Sequence, residues 1–198
     1  MTLARSAGIE VSDFEIRTVD DKPVLLLDRF DRSGPRRIGY VSAMTMLEAT
    51  DGDSSSYPEI AEAIETVSPR ATRDIHELWR RVAFSVLISN TDDHLRNHGF
   101  LRLSTAGWSL SPAFDLNPDP EPGPKHLRTA ITFDDDSATV ENLMAAREYF
   151  RLDAGGAEEI LASVRTATGR WAEVAGEVGL TGREIDAMAP AFEAAARD

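Results

Sequence analysis

An α+β fold, mostly helical, is what this 198-residue sequence predicts. Three observations carry that expectation. Alternating strand-like segments are confined to the first third and to a small pair beyond residue 98. Apolar residues at helical spacing fill most of the rest. The composition, 42% hydrophobic and 28% charged, is that of an ordinary globular domain. The length suits one compact domain, or two lobes around a cleft.

Residues 2–7 read as a short helix stopped at Gly8. "FEIRTV" (14–19) alternates as a strand should, "DDKP" supplies turn residues, and "VLLLDRF" (24–30) reads as a second, more buried strand, so the pair forms a hairpin. "DRSGPRR" (31–37) is an exposed connection, and helices are predicted from "SAMTMLEA" (42–49) onward. In 58–67 a proline stands near the start, and Ile60, Ala61, Ile64 and Val67 share one face. In 72–88 the stripe Ile75, Leu78, Trp79, Val82, Ala83, Val86 and Leu87 marks a central helix. "FLRLS" and "WSLS" are short strands around a turn at Ala106 and Gly107. "NPDPEPGPKH" (117–126) holds four prolines and is a stiff loop that contains Lys125 and His126. Helices over 139–150, 156–169, 170–179 and 181–196, divided by Gly169, Gly179 and Thr181, close the chain.

A formal charge of −13 makes the surface as a whole a poor binder of polyanions. Arg70, Arg73, Arg80 and Arg81 form a local basic group that reads first as a solvated helix face and second as a patch for an acidic partner. No run approaches the roughly 18 apolar residues of a membrane helix, and "MTLARSAG" lacks the pattern of a secretory signal. With zero cysteines there are no disulfides or thiolate metal sites, as suits a cytoplasmic protein.

The helix over 72–88 delivers the chain to a polar cluster: Asp92, Asp93, His94, Asn97 and His98, then Asp115 and Asn117 beyond a small apolar insert. Carboxylate and amide oxygens are the hard donors that Mg2+ takes, commonly one or two carboxylates beside substrate phosphates. One acid near an acceptor hydroxyl, with an amide and a second acid near a metal-bound triphosphate, suits phosphoryl transfer, where catalysis is mainly positioning and charge neutralisation. A zinc site on His94 and His98 is disfavoured, because the Glu of an H-E-x-x-H helix is missing. Asx residues also cap helices and fix turns, and Asp93 is read that way; His94 reads as a brace for the loop.

"NTDDHLRNHGF" followed by "WSLSPAFDLNP" closely resembles the HipA-like serine/threonine kinase family, whose catalytic loop has the form T-D-x-H-x-K/R-N and whose metal-binding segment ends in Tyr-Asp or Phe-Asp. The spacing from Asp92 to Asn97 also matches the protein-kinase loop H-R-D-x-x-x-x-N. The resemblance implies Asp92 as catalytic base, Asn97 and Asp115 as Mg2+ ligands, Arg96 as an aid to phosphate or loop placement, and His94 among the nucleotide-binding residues. "LLLDRFDR" (25–32) is similar to the family's "ERFDR" hinge, with Asp28 where glutamate is usual. By the same resemblance Asp28, the Arg29 backbone and Phe30 border the adenine of ATP. "SYPEIAEAI", "KHLRTAI" and the stretch from "EYFRL" to "MAPAF" look like the family's helical carboxy-terminal domain.

The implied architecture is a protein-kinase-like C-terminal lobe with a short N-terminal β segment and hinge: 1–36 the remnant of an N-lobe hairpin and hinge, 37–198 the helical lobe. Neither G-x-G-x-x-G nor G-x-x-x-x-G-K-[ST] occurs in the sequence, and the two lysines are Lys22, in the turn "DDKP" between the two strands, and Lys125. The expected activity is therefore transfer of the ATP γ-phosphate to a protein Ser/Thr hydroxyl once an N-terminal lobe is supplied by another chain or by sequence outside these residues. The alternative is an inactive toxin-antitoxin module binding a HipB-like helix-turn-helix antitoxin, with DNA met only indirectly. Family resemblance further implies a translation-related protein substrate and no membrane, while small-molecule phosphotransfer uses the same positioning chemistry.

Overall fold

The computed structural model describes residues 1–193. Helix α1 (Thr2–Ser6) gives way to Gly8, whose φ of +80° only glycine adopts freely. Strands β1 (Phe14–Val19) and β2 (Lys22–Leu27) form an antiparallel hairpin in which Phe14 faces Leu27 and Ile16 faces Leu25. Its turn is Asp20–Asp21 alone, with φ of 48° and 59°, the left-handed pair that matches the twist of a two-residue hairpin. Lys22 and Pro23 are thus strand residues, and the strand ends at Leu27 rather than 30.

The connection over 31–37 pinches into a second, minimal hairpin, β3 (Arg32–Ser33) with β4 (Arg36–Arg37). Strand β5 (Gly39–Ser42) runs into the single-turn α2 (Ala43–Met46). Helices α3 (Tyr57–Val67) and α4 (Ala71–Leu87) follow, then a 3-10 turn at Leu95–Asn97, strands β6 (Gly99–Ser104) and β7 (Gly107–Leu110). The remaining elements are α5 (Val140–Ala145), a 3-10 stretch at Ala146–Phe150, α6 (Ala154–Thr168), α7 (Trp171–Glu177) and α8 (Gly182–Glu193). The predicted last helix extends to 196, and 194–196 lie outside the described residues.

Helix α4 is the axis of the core. Its predicted stripe is buried from Ile75 to Leu87, it packs on α3 and α6, and the Trp79 ring lies 5.2 Å from that of Phe150. Each such side chain contributes about 1.5–3 kcal/mol by leaving water. Strand β6 sits between β5 and β7 in an antiparallel sheet that holds Phe100 against Val41 on one side and Leu110 on the other.

Two expectations of burial are corrected. Strand β2 is mostly exposed, with Leu25 at 50% and Leu27 at 44%, because its extensive contacts are with β1 and an open groove lies between the hairpin and α7–α8. Arg81 is not on a solvated face: it is buried, donating to Glu77 at 3.0 Å and to the Ser111 carbonyl at 2.7 Å. Its basic neighbours are engaged too, Arg70 with Asp74, Arg73 with Glu10 and Arg80 with the Ala7 carbonyl.

Candidate active site

After α4 the chain turns at Ser89, whose φ of 54° is left-handed. Its hydroxyl donates to the Ala191 carbonyl at 2.8 Å, and its own carbonyl accepts from the Asp119 amide at 3.0 Å. Consecutive acids then part company. Asp93 is buried and accepts from the Tyr57 hydroxyl at 2.6 Å and from Ser85 Oγ at 3.0 Å. His98 Nε2 lies 3.0 Å from the other carboxylate oxygen, without hydrogen-bond alignment. Burial pushes the Asp93 carboxyl up, but His98 and the hydroxyl donors outweigh it and hold the group below its ordinary value. Burial and the adjoining carboxylate drive the Tyr57 phenol far upward, so it stays a donor. Asp93 is more than a turn residue: it bolts the loop to α3 and α4.

With Asp93 turned inward, Asp92 stands outward, its side chain 68% exposed. Arg128 meets it, Nε to Oδ1 at 2.8 Å. The segment carrying Arg128 is docked along the loop: the Arg128 amide donates to the Thr91 carbonyl at 3.2 Å, and Thr129 donates to the Asp93 carbonyl from N at 3.1 Å and Oγ1 at 2.9 Å. Its far side is bound by Ser55 and Tyr57 through Ala130. Within the proline-rich loop, Asp119 accepts from Thr91 Oγ1 and from Lys125 Nζ, both at 3.0 Å. Lys125 therefore braces this loop, and His126 pairs with Asp136 at 2.8 Å.

The 3-10 turn brings Asn97 back toward the segment that follows β7. Asn97 Nδ2 donates to Asp115 Oδ2 at 2.6 Å, while Asn97 Oδ1 accepts from the His94 amide at 2.9 Å. Asn117 Nδ2 takes the second Asp115 oxygen at 2.7 Å. Asp115 has a φ of 58°, a left-handed conformation that Asp tolerates better than most residues. Each carboxylate oxygen has spent one acceptor position of about two, so the exposed Asp115 fits a hard cation. Asn97 offers the right atom type, but its amide must turn for its oxygen to stand beside Asp115. Arg96 points elsewhere, gripping Asp51 in a two-point ion pair with contacts of 2.6 and 2.7 Å.

Phe114, next to Asp115, lines a cleft of about 330 Å³ together with Asp28, Arg29, Phe30 and Tyr40. The Phe30 ring lies 5.7 Å from Phe114 and 6.0 Å from Tyr40. Hydrogen bonding from Arg29, with Arg32 adding its charge, holds the Asp31 carboxyl at about 2 against partial desolvation. That pairing commits the Arg29 side chain to Asp31. The structure thus brings Asn97 and Asp115 into direct contact and places the hinge residues on the cleft that Phe114 shares. His98 is carried away from the site into the Asp93 network. Sequence reasoning missed the partners Arg128, Asp51 and Asp119. Arg128 falls inside "KHLRTAI", but pairing across 36 residues leaves no periodic trace.

Residues 1–172 match the family model described as HipA-like C-terminal domain, and the chain belongs to that family. Among individual relatives, it is 29% identical over 133 residues to "Putative kinase Y4dM" of Sinorhizobium fredii (strain NBRC 101917 / NGR234), an alignment covering 59% of this chain and 32% of that protein. "Putative kinase Y4mE" of the same strain is 27% identical over 127 residues, covering 59% of this chain and 30% of that protein. The matches thus span about a third of the length of these curated relatives. A chain of the Shewanella oneidensis MR-1 toxin-antitoxin complex of HipA, HipB and its operator DNA superposes with a TM-score of 0.79 at 18% identity, covering all of this chain and 54% of that one. The Helicobacter pylori proinflammatory kinase CtkA superposes with a TM-score of 0.54 at 16% identity, covering 97% and 84%. The fold is therefore the kinase-like one, a β region followed by a helical lobe. Among the described residues no helix is long and apolar enough to cross a membrane.

Proposed function

We propose that this chain is the acceptor-activating and metal-holding part of an ATP-dependent protein serine/threonine kinase. In that reading residues 37–198 form the C-lobe, residues 1–36 begin the N-lobe and hinge, and a further N-terminal lobe completes the enzyme. The observation that carries the reading is the Asn97–Asp115 contact, which joins two motifs 18 residues apart beside an aromatic cleft.

Asp92 orients the acceptor hydroxyl and takes its proton as the new O–P bond forms and the bond to the leaving diphosphate breaks. Asn97 and Asp115 would hold Mg2+, which would supply charge neutralisation to the phosphates of ATP. Arg96 contacts phosphate, and the Asp28–Phe30 hinge meets the adenine. The solved toxin-antitoxin likeness supports a small antitoxin as partner, which an acidic chain suits by charge complementarity if that partner is basic.

Calorimetric titration of Mg-ATP into the folded chain, with Asp115→Ala beside it, tests the nucleotide site. Binding lost in the variant is expected, and equal binding in both removes Asp115 from the site. Once an N-terminal lobe is added, labelled phosphate transfer should vanish with Asp92→Ala. Undiminished transfer would sink the base assignment.

A further inference from the structure

Asp51 approaches the catalytic loop from a distant part of the sequence and takes the one side chain there best shaped to grip an oxyanion. A guanidinium forked onto a carboxylate through two parallel bonds has the geometry that also holds two phosphate oxygens. Arg96 grips Asp51 in that way, at 2.6 and 2.7 Å. The Asp51 carboxyl is held below its ordinary value by the hydrogen bond and charge of Arg96, with His94 adding a smaller pull. Asp51 is thus tied through Arg96 to the loop that carries Asp92 and Asn97.

The segment that carries it is a polar turn. "TDGDSSS" contains no apolar residue, and its turn is closed by Asp53, which accepts from Thr50 N at 2.7 Å and Thr50 Oγ1 at 2.9 Å. Gly52 has a φ of +95° and nothing within reach of an added Cβ. Among the described residues the Asp51 side chain is hydrogen-bonded to Arg96, and the charge of His94 acts on it as well. Both side chains are more than half exposed, at 77% and 53%. An exposed ion pair of this kind is weak and easily exchanged.

We propose that the Asp51 turn is an intramolecular plug: Asp51 occupies the Arg96 fork in the ligand-free protein and yields it to a phosphate oxyanion. This rests on the reading of Arg96 as a phosphate contact and adds to it a competitor that tunes apparent affinity. No bond is made or broken; one anion replaces another on the guanidinium.

The test titrates sodium tripolyphosphate, ATP and adenosine into the folded 198-residue chain. Variants are Asp51→Asn, Asp51→Ala, Arg96→Ala and the Asp51→Asn/Arg96→Ala double, with Asp186→Asn on α8 as a control for net charge. Opening the fork should tighten tripolyphosphate and ATP by about two- to fivefold, the range an exposed pair supports. Adenosine should bind the variants as it binds the parent, and the gain should vanish in the Arg96→Ala background. An equal gain from Asp186→Asn, or a gain that survives Arg96→Ala, overturns the plug by showing only a charge effect. Silence toward both anions in every variant also overturns it. ATP binding that depends on Asp115 but ignores Asp51 and Arg96 removes the plug and leaves the nucleotide reading standing. Tripolyphosphate binding gated by Asp51, without preference for ATP, keeps the plug and removes the nucleotide.

Discussion

Asp92 and Asp93 are chemically identical neighbours with opposite energetics, and burial is the reason. Asp92 pairs with Arg128 in water, where such a pair contributes about 0–1 kcal/mol, so Asp92→Asn should leave the urea midpoint almost unmoved. Asp93 shares a dry site with Tyr57, Ser85 and His98. Removing one partner of a buried, charged network costs about 3–5 kcal/mol, so Asp93→Ala should lower the midpoint sharply, with Asp93→Asn in between. The sign of the pH effect follows from the depressed native value of Asp93. Its contribution is fully present above the unfolded carboxyl value near 4 and is lost as pH falls through the lower folded value. Unfolding curves between pH 7 and 2.5 should show acid destabilisation that flattens in Asp93→Asn. Identical slopes in the two proteins would place the acid sensitivity elsewhere.

At the scale of elements, what the sequence shows well is what periodicity and turn chemistry encode. The α4 stripe, the apolar face of α3 with its proline near the start, the β6–β7 strands and the proline-rich loop were all legible for that reason. The association of Asn97 with Asp115 rested instead on the resemblance of their two motifs to a known family, and in the structure the two side chains meet. Burial of β2 was misjudged, since "VLLLD" records only that the segment is apolar and not whether anything covers it. Arg128 and Asp51 were invisible because an ion pair across a fold has no local signature. Gly107 illustrates a constraint readable only in three dimensions. It opens β7 at a φ of +151°, and a Cβ there would run into the Val67 carbonyl at the end of α3. Gly107→Ala should cost about 1–3 kcal/mol from the backbone alone, with the clash added. A thermal melt within 1 °C of the parent would show that α3 and β7 part more readily than their contact implies.

Across the whole molecule, stability is distributed unevenly, and the gradient marks the surface on which the proposed N-terminal lobe would pack. The α4 core buries large side chains completely, whereas the β1–β2 hairpin leaves Ile16, Val19 and Leu25 half exposed, at 51, 53 and 50%. A two-stranded hairpin is marginal in water on its own, and Phe14, Ile16 and Leu25 of this one line an open apolar groove with Trp171 and Val178. Regions with few buried contacts open at a free energy well below that of global unfolding. Hydrogen exchange read by mass spectrometry should therefore show the 14–27 amides exchanging much faster than those of 75–87. Ile16→Lys together with Leu25→Glu keeps a cross-strand pair of opposite charge at the observed register. That double change should speed exchange in the hairpin and leave α4 untouched. An added N-terminal β lobe that packs on the apolar hairpin should slow hairpin exchange in the parent and fail to do so in the double variant. Uniform protection across both segments would mean that the hairpin already belongs to the core, and that its exposed leucines are not waiting for a lobe.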